Sequence, residues 1–216
     1  MITLAGRIKV MKKLSILLGL LVLLSASVFA QKQMSARQLF MALPGEYVVG
    51  SAKERAAYLT FPGSIKADFL TFMITEDAVP KSLVGDFREP QALVDMRVFR
   101  GGSRSVVGLT YQLGDGREAV PTTDKTRIVT VMLEYRGGKW TNITPTILPT
   151  VSVKEAHEVL VKNFQMTEVI HDDVRVEAQM SKDRNGMVLV ARVKGSDSVI
   201  ILKQFTWNGK AFVERG

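Results

Sequence analysis

The chain contains no cysteine. Disulfide staples, thiolate metal centres, cysteine nucleophiles and thiol redox chemistry are all excluded by that one absence. A chain of this kind has to be held by its own apolar core, which its length permits. Histidine is nearly as scarce: only His157 and His171 occur. Also missing are a phosphate-cradling glycine motif, a G-x-S-x-G nucleophile elbow and an H-E-x-x-H zinc helix. The sequence therefore assigns no catalytic, cofactor-binding or metal-ligating residue, and no cofactor is expected.

What is present begins with an export signal. From Met11 the chain reads "MKKLSILLGLLVLLSASVFAQKQ": two lysines, an apolar run from Leu14 to Leu24, then small residues ending at Ala30. That order is the layout of a secretory signal peptide, with Val28 and Ala30 where a signal peptidase reads. The run turns polar at Ser25, short of the about 20 apolar residues a retained spanning helix wants. Cleavage is expected after Ala30, making residues 1–30 a signal peptide; residues 1–10 are superfluous to such a signal, and Met11 is an alternative translation start. No integral membrane segment is expected after cleavage, and the periplasm or the cell exterior of a bacterium is the expected destination.

Charge follows from the same cut. The formal net charge of +8 includes Arg7, Lys9, Lys12 and Lys13; without them 25 basic residues face 21 acidic ones, or +4. That is an ordinary solubility charge, and no nucleic-acid partner is expected. Arg97, Arg100 and Arg104 form the densest basic cluster. A solvated strand face and turn accounts for them better than an anion site.

Helix starts repeat along the chain. In "MSARQLF", Ser35 and Gln38 have the spacing of a capping box, with Met34 and Leu39 placed as a hydrophobic staple. "GSAKERAAYL" offers a second box, Ser51 with Glu54, for a short helix over 52–59. "VSVKEAHEVLVKNF" offers a third, Ser152 with Glu155, and puts Val153, Ala156, Val159, Leu160 and Phe164 on one helical face.

Strand-like runs follow. In the first half they are 93–100, 105–113, 127–136 and 139–144; in the second, 174–180, 187–193, 199–207 and 210–214. Both sets are rich in β-branched and aromatic residues and punctuated by glycine turns. Val174, Val176, Ala178 and Met180 alternate with Arg175, Glu177 and Gln179, so that strand is expected to bury one face. Two related phrases close the halves, "EYRGGKWTNI" at 134–143 and "FTWNGKAFVERG" at 205–216. Two-residue turns at Gly137-Gly138 and Asn208-Gly209 would set Tyr135 opposite Trp140 and Phe205 opposite Phe212.

The fold class expected is therefore α+β: two tandem units, each a helix followed by a four-stranded antiparallel β-meander, after a cleaved signal peptide. The first unit spans 31–148 and carries an insertion; the second, smaller one spans 149–216. "TPTILPTVS", with Pro145 and Pro149, marks the boundary. Within the insertion "SIKADFLTFMI" is ambiguous between helix and strand, and "EDAVPKSLVGDFREP" reads as a loop around Pro80 and Pro90.

Candidate chemistry is sparse. His157 sits one position from the apolar face of its helix and reads as a partly exposed surface residue. His171, Asp172 and Asp173 could offer ligands to a divalent ion, although a polar turn before a strand explains them better. Glu76, Asp77, Asp86 and Glu89 flank the long loop without a spacing that defines a paired-acid site. Asn142-Ile143-Thr144 is a glycosylation sequon.

In the order of its elements, a helix and a four-stranded meander written twice, the chain resembles the tandem units of secreted β-lactamase-inhibitor proteins and, more loosely, cystatin-like folds. It lacks the disulfides such inhibitors carry, and the layout transfers no residue roles. Two functional classes remain. One is a non-enzymatic envelope or secreted module that binds another protein or a surface polymer through an exposed sheet face or the long loop. The other is a small-ligand carrier or hydrolase, which requires a pocket between helix and sheet.

Overall fold

Serine caps start three of the described helices. In the computed structural model, residues 33–60, 65–66, 68–74, 79–84, 90–102, 104–115, 126–181, 185–196 and 198–216 are described. The signal segment, Glu76, Asp77, Asp86 and Glu89 lie outside them. Ser35 and Gln38 exchange both hydrogen bonds of a capping box ahead of α1 (Ala36–Met41), and Ser51 and Glu54 do the same ahead of α2 (Ala52–Tyr58). Each box satisfies backbone donors that the first helical turn leaves orphaned.

The ambiguous stretch after α2 is strand. β1 (Ile65–Lys66) and β2 (Phe69–Ile74) form a hairpin that joins the main sheet. β2 was decided by its neighbour: Leu70, Phe72 and Ile74 are fully buried in register with Met96, Val94 and Ala92. A short helix, α3 (Lys81–Val84), replaces part of the expected loop. Then come β3 (Pro90–Gly101), β4 (Arg104–Asp115), β5 (Arg127–Arg136) and β6 (Lys139–Asn142). The first sheet is thus a six-stranded antiparallel meander in the order β1-β2-β3-β4-β5-β6, longer than the four strands expected.

At the expected boundary the chain forms α4 (Thr144–Ile147), with proline in its first turn. α5 (Val153–Phe164) follows, capped by Ser152 Oγ accepting from Glu155 N at 3.1 Å. The reciprocal half of this box is not made. The Glu155 carboxylate turns instead to Lys203 Nζ at 3.2 Å, because the tertiary fold brings an ammonium beside it. Ala156 and Leu160 are buried as the periodicity requires, but Phe164 is 49% exposed. The helix ends at Phe164, and Gln165 caps it in a left-handed conformation, φ 55°.

A 3-10 turn over His171–Asp173 then leads into β7 (Val174–Met180). β8 (Gly186–Val193), β9 (Val199–Trp207) and β10 (Phe212–Glu214) complete a four-stranded antiparallel meander. The chain is α+β with two antiparallel sheets.

The two closing hairpins differ. Gly137 and Gly138 both have positive φ, 58° and 81°, as a two-residue hairpin turn of matching twist requires. Tyr135 faces Trp140 across it, ring centroids 4.9 Å apart. In the last hairpin, Phe212 faces Trp207 and Phe205 faces Glu214, which corrects the expected Phe205–Phe212 pair. The cause is Asn208. Its side-chain oxygen accepts from Lys210 N and Ala211 N, and its own N–H donates to Ala211 O, so the loop closes on four residues and not two.

Among the described residues, three apolar clusters hold these layers. α1 and α2 lie on one face of the first sheet, where Leu39, Phe40, Phe72, Leu109 and Tyr111 are fully buried. α5 lies on the second sheet, with Ala156 and Leu160 against Val174, Ala191 and Val193. Between the sheets a third cluster joins Phe99, Val106 and Met132 to Met180 and Trp207, with Phe212 packed beside them. From Met34 to Gly216 the chain forms one compact unit.

Candidate interaction surface

The second sheet has two unlike faces, and a β-bulge sets which residues belong to each. Ile200 and Leu202 pack toward α5. Between Leu189 and Val190 the register slips, so that Val190 pairs with Ile201 and Leu189 with Lys203, leaving Leu202 as the extra residue. A bulge places two consecutive side chains on one side. Lys203 therefore joins Leu202 on the helix side, where it meets Glu155 and, at 3.5 Å, Glu214. Those two carboxylates, Glu155 first, raise the pKa of the Lys203 ammonium.

The opposite, outer face is read off the register. One row is Arg175, Arg192 and Val199; the next is Glu177, Val190 and Ile201; a third is Gln179, Val188 and Gln204; Thr206 and Val213 make the last. Along β9 and β10 its aliphatic side chains stand in solvent: Val199 is 43% exposed, Ile201 50% and Val213 49%. Arg175 and Arg192 sit directly opposite each other, an unfavourable pairing of like charges. Glu177 relieves it diagonally: its carboxylate accepts from Arg192 Nε at 2.8 Å and from Gln179 Nε2 at 3.3 Å. Glu177 is buried, which departs from the simple alternation of apolar in and polar out. On this face Arg175 and Arg215 are exposed.

The arginine cluster of the first sheet is structural. Arg97 lies over the Phe69 ring at 4.9 Å. Arg100 bonds Asp68 at 2.6 Å and Ser105 Oγ at 3.3 Å. Arg104 approaches Glu134 at 3.6 Å, donates to Lys210 O and lies over the Trp207 ring. All three serve strand and turn packing.

The two histidines converge. His157 is half-buried and its Nε2 lies 2.7 Å from Val169 O; its ring centroid is 6.0 Å from that of His171. Asp172 and Asp173 occupy the polar turn before β7. Among the described residues, no group of three or more His, Cys, Asp or Glu side chains is placed to hold a metal ion.

Arg55 and Asp95 are buried polar groups that no local sequence pattern singled out. Arg55 reaches from α2 to the carbonyls of Met41, Leu43, Val48 and Gly50, tying the end of α1 and the following loop together. Burial lowers its pKa from the ordinary guanidinium value. Asp95 is 3% exposed and accepts from Thr71 Oγ1 at 2.7 Å. It belongs to a cross-strand row, Thr71, Asp95, Thr110 and Thr130, on the sheet face turned away from α1. Thr130 Oγ1 carries that row onward by donating to Ala178 O on β7. The available signal for Asp95 was its setting in "ALVDMRVF", where both faces of a strand are rich in apolar residues.

Compared with known proteins, the chain matches no family model, no curated protein and no solved structure. Among the described residues no helix is long and apolar enough to cross a membrane.

Proposed function

We propose that this chain is an exported, non-enzymatic bacterial envelope protein that binds another protein through the outer face of its second sheet. The observation that carries the proposal is the trio Val199, Ile201 and Val213, exposed on one face of one sheet. Val199 and Ile201 stand in neighbouring rows along β9, with Val213 in the last row beyond Gln204, and neighbouring exposed aliphatic side chains mark interaction surfaces more often than isolated ones do. Arg175, Arg192 and Arg215 accompany them, with Glu177 as the buried counterion. The partner fitting that chemistry is a protein surface with aliphatic side chains and carboxylates; an anionic surface polymer is the competing occupant. The alternative function, a small-ligand carrier or hydrolase, needs room between helix and sheet, and the rings of Phe40, Phe72 and Tyr111 pack together there.

A photo-crosslinking residue at Ile201 of the mature protein, expressed in its host, tests the surface. A protein adduct that disappears with Val199→Asp or Val213→Asp in the same chain supports the reading. Adducts arising equally from Lys154 on the exposed side of α5, or carbohydrate recovered in place of protein, overturn it. Export is tested separately: mass spectrometry of the exported chain should find Gln31 first, and intact Met11 in the membrane fraction would sink that expectation.

The same reading holds that the chain is built of two tandem helix-plus-meander units, 31–148 and 149–216. Support comes from the two clusters confined to one half each, under α1 and under α5. Residues from Pro149 onward should show a weak cooperative thermal transition alone. A fragment disordered by itself but folding with residues 31–148 would mean one shared core.

A further inference from the structure

We propose that His157 and His171 form a two-imidazole binding site for a divalent transition-metal ion, which clips α5 to the turn entering β7. The chain has only these two histidines, and the fold brings them together from two different elements. Their ring centroids are 6.0 Å apart. Two imidazoles sharing one ion at about 2.0–2.1 Å from each nitrogen hold their ring centres roughly 4.5 to 6.5 Å apart, depending on the angle at the ion, so this centroid spacing lies within reach of a shared ion.

The second observation concerns the nitrogens that face away from the ion. A ligating histidine gives its other ring N–H to a carbonyl or carboxylate, which fixes its tautomer and orients the ring. His157 Nε2 donates to Val169 O at 2.7 Å, leaving the Nδ1 lone pair as the donor atom. His171 Nδ1 lies 3.8 Å from Asp172 Oδ1, leaving Nε2. His157 thus has its orienting acceptor in place, whereas His171 Nδ1 has a carboxylate within ion-pair distance but not hydrogen-bonded to it. Asp172 and Asp173 in the same turn add negative charge around it.

Two protein ligands leave the remaining positions to water, so binding is exchangeable. Imidazole suits copper, nickel and zinc, and the general affinity order of divalent ions puts Cu²⁺ first. His157 lies near the middle of α5 and His171 just before β7, so one ion would close the intervening loop. An ion bound to the folded state alone raises its stability as its concentration exceeds the dissociation constant.

The test uses the mature protein with Cu²⁺ alone, followed by calorimetry, electron paramagnetic resonance and thermal melts. The expected result is one Cu²⁺ per chain, hyperfine structure from two imidazole nitrogens and a melting temperature that rises with Cu²⁺ and returns on chelation. His157→Gln and His171→Gln should each weaken binding about tenfold or more and abolish the thermal shift. Melts without metal establish that both variants fold. Undiminished binding in either variant, or a spectrum showing one nitrogen ligand, overturns the proposal.

Discussion

Gly101 at the end of β3 runs directly against the backbone of Gly209 in the last loop; a β-carbon on Gly101 would overlap the Gly209 carbonyl. The two turns meet there, and the contact is fixed by Trp207 Nε1 donating to Arg100 O at 2.8 Å. Because the obstacle is backbone, it cannot swing aside as a flexible side chain would. Gly101→Ala should therefore force the hairpins apart and cost about 1–3 kcal/mol in urea melts. Gly45→Ala, with no atom within 4 Å of the added carbon, is the matched control and should change little. Equal behaviour of the two variants would show that the turns do not need this close approach.

Arg55 is the second test. Its guanidinium serves four backbone carbonyls at once, and deleting it leaves buried acceptors without donors. Arg55→Met should cost about 3 kcal/mol, since hydrogen bonds from a charged group each contribute about 1.5–3. Arg55→Lys should recover less than half of that, because an ammonium lacks the planar fork. Denaturant midpoints unchanged in both variants would remove Arg55 from the packing of α1.

Phe212 touches Phe99 and Trp207, with ring centroids 5.0 and 5.1 Å away. It is only partly buried, so Phe212→Ala should cost about 2–3 kcal/mol, below the about 3–5 for a fully enclosed aromatic. A loss well under 1 kcal/mol would make β10 a frayed tail and not a closing strand.

Alkali should find Tyr111. Burial first, and the neighbouring Tyr47 second, raise its phenol far above the ordinary tyrosine value, while its hydroxyl donates to Tyr47 O at 2.6 Å. Above about pH 10 the unfolded chain releases this proton and the folded chain keeps it, so the unfolded state binds fewer protons and stability falls as pH rises. The contribution is complete below about pH 10 and is lost progressively above it. Tyr111→Phe should flatten that decline while costing about 1 kcal/mol at neutral pH through the lost hydrogen bond. An unchanged alkaline slope would place its source elsewhere.

Local chemistry was enough to locate the helix starts and most strands. The Ser35 and Ser51 boxes, the Gly137-Gly138 turn and the Tyr135–Trp140 pair depend on residues a few positions apart, so the sequence alone determines them. The helical period of α5 held for Ala156 and Leu160 but not for Phe164, and the alternation along β7 broke at the buried Glu177. Decisions made by distant groups were not legible. Glu155 left its cap because Lys203, displaced by a bulge, lay within reach. The stretch at β2 became strand because β3 offered a buried ladder. The last hairpin closed on four residues through Asn208, and its turn came to rest on Gly101. Burial of Arg55, Asp95 and Glu177, and the meeting of His157 with His171, likewise arose only when separate elements packed. Capping and turn preferences are short-range and written residue by residue, whereas pairing across the fold depends on which surfaces the whole chain can bury together.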